Sequence, residues 1–450
     1  MILLAPWRLL PTDAWLALTC GREIAQHGLP HLDTLGVVTR GHVWTDQQWL
    51  GQLFIYENEH LFGLRAALVA QALITCAAFG LCARYALARG ASPAATLVSA
   101  IAGFGVGATF FTLRPQMFSI LGFAILLVLL GEDVRKPSRR VWWVLPVLCV
   151  WANLHGVVIV GAAVVGLRAA FDVLGKKILR GVALGALAAV TPFATPYARE
   201  LPRYLHEIGR LQDPVRQLPI FEWNRVEFPS DWPFFTIFGA MLVLLVVVHW
   251  KKLARPVPFE TLVLAIMGAA AWQASRHLQW FGVALAAYAP VALDALPPVR
   301  EGHVLARVAS VTRVVAPLAF VALVVRLYAM DQQTLEREYP RGVLPVAREI
   351  MKTHPDSEVA ASDLYADWLL WYVPEVAGRI EWDVRFELLD DAQARAMGIF
   401  LYTRAGWDSL YPNAHIVLVA RKAHKTLNAA LEAQHAQVLW ENDVARLYLR

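Results

Sequence analysis

Apolar and polar residues follow one another along this chain in long blocks. Apolar runs lie near residues 64–88, 93–112, 117–131, 141–153, 156–171, 179–195, 232–250, 259–275, 278–296 and 314–330. A helix needs about 20 apolar residues to cross a bilayer. The ten runs therefore predict an α-helical polytopic membrane protein of about ten to eleven spans. Several runs are short and contain Pro or Gly, which predicts broken or tilted helices. Met1–Leu10 is apolar but too short to cross; it reads as the tail of a first span that starts upstream, or as an interfacial segment. Residues 1–331 form the expected transmembrane domain. Its first outside loop, 11–63, carries two expected interfacial helices, one from about 13 to 27 ending at Gly28 and one from Trp44 to His60.

After residue 331 the long apolar runs stop. Short β-like runs (Glu358–Ala361, Arg379–Asp383, His415–Ala420, Val438–Glu441, Ala445–Leu449) alternate with helix-like runs (Leu364–Tyr372, Asp391–Leu401, Lys425–His435). This predicts a small soluble α/β domain with a mixed sheet over 332–450.

Composition agrees. Of 450 residues, 57% are hydrophobic and 17% charged, against roughly 25% charged in soluble proteins. Mean hydropathy is +0.46. Disordered chains, coiled coils, collagen-like fibres and ordinary cytosolic enzymes are excluded. The net charge of +5 does not point to nucleic acid, because Lys and Arg gather in short clusters between apolar runs. These lie at Arg84/Arg89, Arg135–Arg140, Lys176–Arg180, Lys251–Arg255 and Arg300–Arg313, in every second connection. The positive-inside rule makes those loops cytoplasmic and puts the tail outside an inner (plasma) membrane. The four Cys make neither a disulfide framework nor a zinc spacing.

Ionisable residues at membrane depth or at its edge are costly and mark function. Asp13, His27, His31 and Asp33 fall in the first outside loop. Arg114 and Gln116 fall at one outside turn, Asn153 and His155 at a second, Arg276 and His277 at a third, with Glu222 and Trp223 in a long outside loop. Arg forks hold phosphate oxygens, His or a divalent ion adds charge, and a carboxylate takes a proton. Each also has a bland role. Arg114 can cap a helix end, Asn153 and His155 can satisfy a helix terminus, and Arg276-His277 can anchor the interface. Metal binding by His27, His31 and Asp33 is the minority reading.

Ordered motifs carry a resemblance. The chain reads Asp13, Trp15, Gly21-Arg22, Gly28-Leu29-Pro30-His31-Leu32-Asp33, Trp49-Leu50, Leu113–Gln116, Trp151–Gly156, Arg276 and Asp383–Arg385. This set resembles the GT-C class of membrane glycosyltransferases, and more closely a group of largely uncharacterised bacterial relatives. The resemblance implies a polyprenyl-phosphate sugar as donor, a glycan, lipid or protein acceptor in the cell envelope, and inverting hexosyl or pentosyl transfer on the outer face. It implies Asp13 as general base with Asp33 in reserve, as base or metal ligand. The donor phosphate and acceptor would be held by Arg114, Gln116, Asn153, His155, Arg276 and His277. No cofactor beyond a divalent metal ion is implied. Asp13 is followed by Ala14, where the class often has a second acid. That departure supports a rival, a non-enzymatic scaffold or glycan-binding relative; a transporter, which would want ionisable residues near the midplane and repeated halves, ranks third.

Overall fold

The structure is a computed structural model. It describes residues 9–213, 215–216, 218, 220–251, 257–296 and 302–450, with the backbone alone over 302–314. Most of Met1–Leu10, the cluster from Lys252 to Arg255 and much of Arg300–Arg313 lie outside the described residues.

Helices run in the order α1 (Thr12–His27), α2 (Trp49–Phe62), α3 (Leu64–Ala88), α4 (Pro93–Gly107), α5 (Gln116–Arg135), α6 (Val144–Leu154), α7 (Val158–Leu174), α8 (Ile178–Val190), α9 (Leu201–Gly209), α10 (Trp232–Trp250), α11 (Pro258–Gln273), α12 (Leu278–Asp294) and α13 (Gly302–Ala329). The tail adds α14 (Gln332–Leu335), α15 (Leu344–Thr353), α16 (Ala366–Tyr372), α17 (Asp391–Leu401) and α18 (Lys425–Ala433). Its strands are β1 (Val359–Ala361), β2 (Ile416–Ala420), β3 (Gln437–Glu441) and β4 (Ala445–Leu449).

Each of the ten apolar runs is a helix, because backbone polar groups in apolar surroundings must bond within their own segment. Length is another matter. Among the described residues, four helical segments are long and apolar enough to cross a membrane: Leu64–Ala88, Pro93–Phe110, Gln116–Arg135 and Trp232–Trp250. Ile178–Phe193 and Val315–Ala329 are apolar but shorter. The other apolar helices described are shorter than that, and the count of ten to eleven spans stays an expectation. Polar turns and short 3-10 segments, such as those around His155 and at Ser275–His277, cut the runs before they reach full length.

The chain divides into two compact units. The first contains Leu64–Ala198 and Phe221–Tyr328. Its centre is α12, buried continuously from Leu278 to Pro290. α12 crosses α4 at a glycine pair: a Cβ on Gly103 would sit 2.1 Å from the Gly282 carbonyl oxygen, and the converse distance is also 2.1 Å. Small residues let membrane helices approach at backbone distance. Trp151 is wedged in the same way against Gly161, where a Cβ would lie 2.7 Å from the indole. Buried charges in this unit are paired, as they must be. Arg168 bonds Asp133 at 2.7 Å and Asp172 at 2.8 Å, Arg180 bonds Asp133 at 2.5 Å, and Arg89 bonds Glu260 at 2.7 Å.

The second unit contains Arg8–Gly63, Arg199–Ile220 and Ala329–Arg450. Its four-stranded sheet has the order β1-β2-β4-β3. β1 is parallel to β2, and the other two pairings are antiparallel. The mixed sheet expected of the tail is present. Arg379–Asp383 is not a strand of it; Ile380 alone bridges Val359 on one side and Gly36 on the other. The Gly378 turn at φ +72° and the bend into Asp383 leave no length for a ladder. α1 ends at Gly28 with φ +84°, where glycine is the residue of choice. Residues Ala14 to Gly21 of α1 are buried. Gly21 admits α2, since a Cβ there would lie 2.4 Å from the Gln52 carbonyl oxygen. Arg22 is therefore mid-helix rather than at a helix end, and its guanidinium donates to the Leu370 and Trp371 carbonyls at the end of α16.

Candidate functional site

In the first unit, Arg114 stands in the Leu113–Pro115 turn before α5. Its residue is 8% exposed. The Nη2 atom meets Glu222 Oε1 at 2.5 Å, and Nε donates to Thr112 Oγ1 at 3.2 Å. Arg276, in the Ser275–His277 turn, lies over the Trp223 ring at 4.1 Å. The two turns are tied together: Ser275 Oγ donates to the Glu222 carbonyl at 3.2 Å and Ser275 N to the Asn224 carbonyl at 3.0 Å. Burial alone would raise the Glu222 carboxyl, but Arg114 and Arg276 hold it below the usual range. It is a carboxylate bonded by Arg114, with the charge of Arg276 nearby.

His155 belongs to the same group. Trp151 Nε1 donates to Ser119 Oγ at 2.6 Å, and the Ser119 hydroxyl lies 3.0 Å from His155 Nδ1. Val157 N–H also points at Nδ1, at 3.4 Å. This network assigns Nδ1 as the acceptor and places the proton on Nε2. Burial, Arg276 and Arg114 all push the His155 pKa down, so the imidazole is neutral. A neutral imidazole with its proton on Nε2 offers a hydrogen-bond donor there. His277, half-buried, is held neutral by burial and by Arg276.

Asn153 is placed differently. Its Nδ2 donates to the carbonyls of Cys149 (3.0 Å) and Ala194 (2.7 Å), which is a helix-end role. Gln116 opens α5, is 4% exposed, and has an Nε2 without a hydrogen-bond partner among the described residues. The first unit thus gathers Arg114, Arg276, His155 and Glu222. The group brings two guanidinium forks to one place, the side chain that suits an oxyanion.

The second unit holds the two carboxylates. Asp33 is 1% exposed. Its Oδ1 accepts from Leu35 N at 3.1 Å and Arg385 Nη2 at 2.7 Å; its Oδ2 accepts from Gly36 N at 3.2 Å and Thr39 Oγ1 at 2.5 Å. Burial works against the anion, but Arg385 and these donors hold its pKa below the usual range. Both oxygens are committed, and the group is enclosed. Arg385 also chelates Asp383, at 3.0 Å from Nε to each oxygen, and packs over Trp44 at 4.2 Å. The Gly28–Asp33 and Asp383–Arg385 motifs, over 300 residues apart, are therefore one structural centre.

Around that centre lie further buried acids. Asp46 is pushed up to about 7 by burial. Asp367 is raised well above the carboxylate range by burial, by Asp383 and, further off, by Asp13. Asp13 itself sits in the first turn of α1, half-buried, and the N-cap position is Pro11. Of the two acids expected to act as base, Asp13 is the accessible one. His27 pairs with Glu23 at 3.0 Å. Among the described residues no three His, Cys, Asp or Glu side chains are placed to hold a metal ion. Sequence reasoning missed Ser119 and Thr39, whose hydroxyls fix His155 and Asp33, and did not pair Glu222 with Arg114.

No protein-family model and no curated protein matches the chain. Solved structures do. The crystal structure of the Archaeoglobus fulgidus oligosaccharyltransferase, tethered to an acceptor peptide containing the NVT sequon, matches with TM-score 0.50 and 11% identity over 92% of this chain and 65% of that one. The archaeal oligosaccharyltransferase AglB from Archaeoglobus fulgidus, in complex with an inhibitory peptide and a dolichol-phosphate, matches with TM-score 0.50 and 12% identity over 92% and 66%. The chain spans slightly less than two thirds of those proteins. These are GT-C membrane glycosyltransferases, and the chain shares their fold.

Proposed function

We propose that this chain is an integral membrane glycosyltransferase. It transfers a hexosyl or pentosyl unit from a polyprenyl-phosphate donor to a cell-envelope acceptor, with inversion, on the outer face of the inner membrane. The observation that carries the reading is the convergence of Arg114, Arg276 and neutral His155 within a GT-C fold. In this reading Arg114 and Arg276 hold the donor phosphate through charge-assisted hydrogen bonds, and Nε2–H of His155 adds a donor without adding charge. As the glycosidic bond to phosphate breaks, negative charge grows on the leaving oxygen, and these donors stabilise it. Glu222 occupies a guanidinium position that a phosphate oxygen would take, so donor binding exchanges one anion for another.

Asp13 is the proposed general base: it takes the proton of the acceptor hydroxyl as that oxygen attacks the anomeric carbon. Asp33 is favoured less, because four donors already occupy its oxygens. The test is transfer from a polyprenyl-phosphate sugar by membranes containing the parent or the Asp13→Asn chain. General base catalysis supplies about 10²–10⁴-fold, so turnover should fall by that factor while donor binding persists. Unchanged turnover in the Asn variant would remove Asp13 from the mechanism.

A further inference from the structure

The second unit contains a cavity of about 420 Å3, within the roughly 300–1,000 Å3 of small-molecule sites. It is lined by α9, by residues 42–45 and by residues 387–392. An ion-pair frame forms part of the wall. Arg216 bonds Asp391 through Nε at 3.1 Å and Glu207 through Nη2 at 2.7 Å, and Arg210 bonds Asp391 at 2.5 Å. Two arginines and two carboxylates leave this frame neutral.

The frame is not fully satisfied. The Arg216 side chain is completely buried, yet its Nη1 has no hydrogen-bond partner among the described residues. A buried N–H of this kind is costly unless something accepts from it. Arg203 lines the same cavity and makes no ion pair among the described residues. Acceptors are present as well. His42 Nδ1 donates to the Leu388 carbonyl at 2.9 Å, which leaves Nε2 as an acceptor in the neutral ring. Burial pushes the Glu387 carboxyl up to about 7, so near neutrality it offers both a proton and a lone pair.

The balance of charge selects the ligand. An anion would meet Glu207, Glu387 and Asp391 as well as the arginines; a cation would meet the arginines. A neutral molecule rich in hydroxyls uses both sides, because each hydroxyl donates once and accepts through two lone pairs. We propose that this cavity is a binding site for a neutral oligosaccharide. The proposal does not depend on the transfer reading, since binding needs neither donor nor turnover.

The full chain, purified in a detergent without a sugar headgroup, is titrated with maltotriose, cellotriose and chitotriose and followed by saturation-transfer NMR. Trigalacturonate and inorganic phosphate serve as charged probes. At least one neutral trisaccharide should bind the parent chain. Arg203→Ala, an exposed change, should weaken it about tenfold, the effect of losing one hydrogen bond to a charged group. Arg216→Gln should weaken it as much or more, with a thermal melt showing whether the frame survives. Lack of binding by all three neutral sugars overturns the proposal. So does binding of only the charged probes, or an Arg203→Ala chain that binds as the parent does. In each case transfer from a polyprenyl-phosphate sugar is measured on the same preparation, so loss of this site and loss of the proposed activity are separable.

Discussion

The Arg114 group and the Arg385 group are both charged clusters, and both were marked by sequence motifs. They differ in how far their charged groups are enclosed. At Arg385, a buried guanidinium is clamped by Asp33 and Asp383, and every oxygen of Asp33 has a donor. At Arg114 the partner carboxylate Glu222 keeps 32% of its side chain exposed, and a neutral imidazole stands by with its Nε2 proton. The enclosed cluster holds the chain together, although Arg385 Nη1 there has no hydrogen-bond partner among the described residues. A partly exposed one leaves room to exchange one anion for another. Motif conspicuousness in the sequence does not distinguish the two; burial does.

The sharpest way to break this comparison is Arg385→Met. It leaves two carboxylates buried without their cation, and removing one partner of a buried pair costs about 3–5 kcal/mol. Thermal or denaturant unfolding should show a loss of that order, whereas Arg114→Gln should leave unfolding within about 1 kcal/mol because Glu222 can reach solvent.

The acids beside Arg385 give a pH dependence of definite sign. Asp46 has an ordinary pKa of about 3.9 when unfolded and about 7 in the fold. The folded state therefore holds its proton more tightly, so this contribution to stability is full below about pH 4 and is lost as pH rises through 7. Asp33, with a lowered pKa, acts oppositely: its contribution is present above about pH 4 and is lost as pH falls through its folded pKa. Asp46→Asn should accordingly match the parent at low pH and exceed it by about 2–4 kcal/mol near pH 8. A parent whose stability rises between pH 5 and 8, with no gain from the Asn change, would contradict the placement of Asp46.

Much of this fold was legible in the sequence. The ten apolar runs fold as ten helices because periodicity and self-contained hydrogen bonding are local. Gly28 stops α1 where expected, and β4 and α17 match the expected runs Ala445–Leu449 and Asp391–Leu401, the latter through the capping box of Asp390 with Gln393. Where tertiary contacts decide, the sequence was mute. α2 starts at Trp49 rather than Trp44, because Trp44 to Gln47 are drawn under Arg385 and buried. The pairing of Arg114 with Glu222 joins residues with no periodic relation, and no local signal announces it. The Trp151–Gly156 motif was read for function. It divides: Trp151 and Asn153 fix helix ends and packing, and His155 alone faces the charged group.

Smaller effects refine the contrast. Arg114→Gln should weaken polyprenyl-phosphate binding by about 1.5–3 kcal/mol, while Arg84→Gln, an exposed change, should not. Thr39→Val removes one of the four donors to Asp33 and should cost about 1 kcal/mol of stability, with no change in phosphate affinity. A Thr39→Val chain that lost phosphate binding would show that the Asp33 centre does more than hold the fold.

The most direct test is the affinity of the purified chain for a polyprenyl phosphate, measured for the parent, for Arg114→Gln with Arg276→Gln, and for Thr39→Val, each checked by its unfolding midpoint. The account predicts that the paired arginine changes abolish measurable phosphate binding with little shift in the midpoint, and that Thr39→Val lowers the midpoint and leaves the affinity alone. Phosphate affinity that survives the loss of both Arg114 and Arg276 would contradict it.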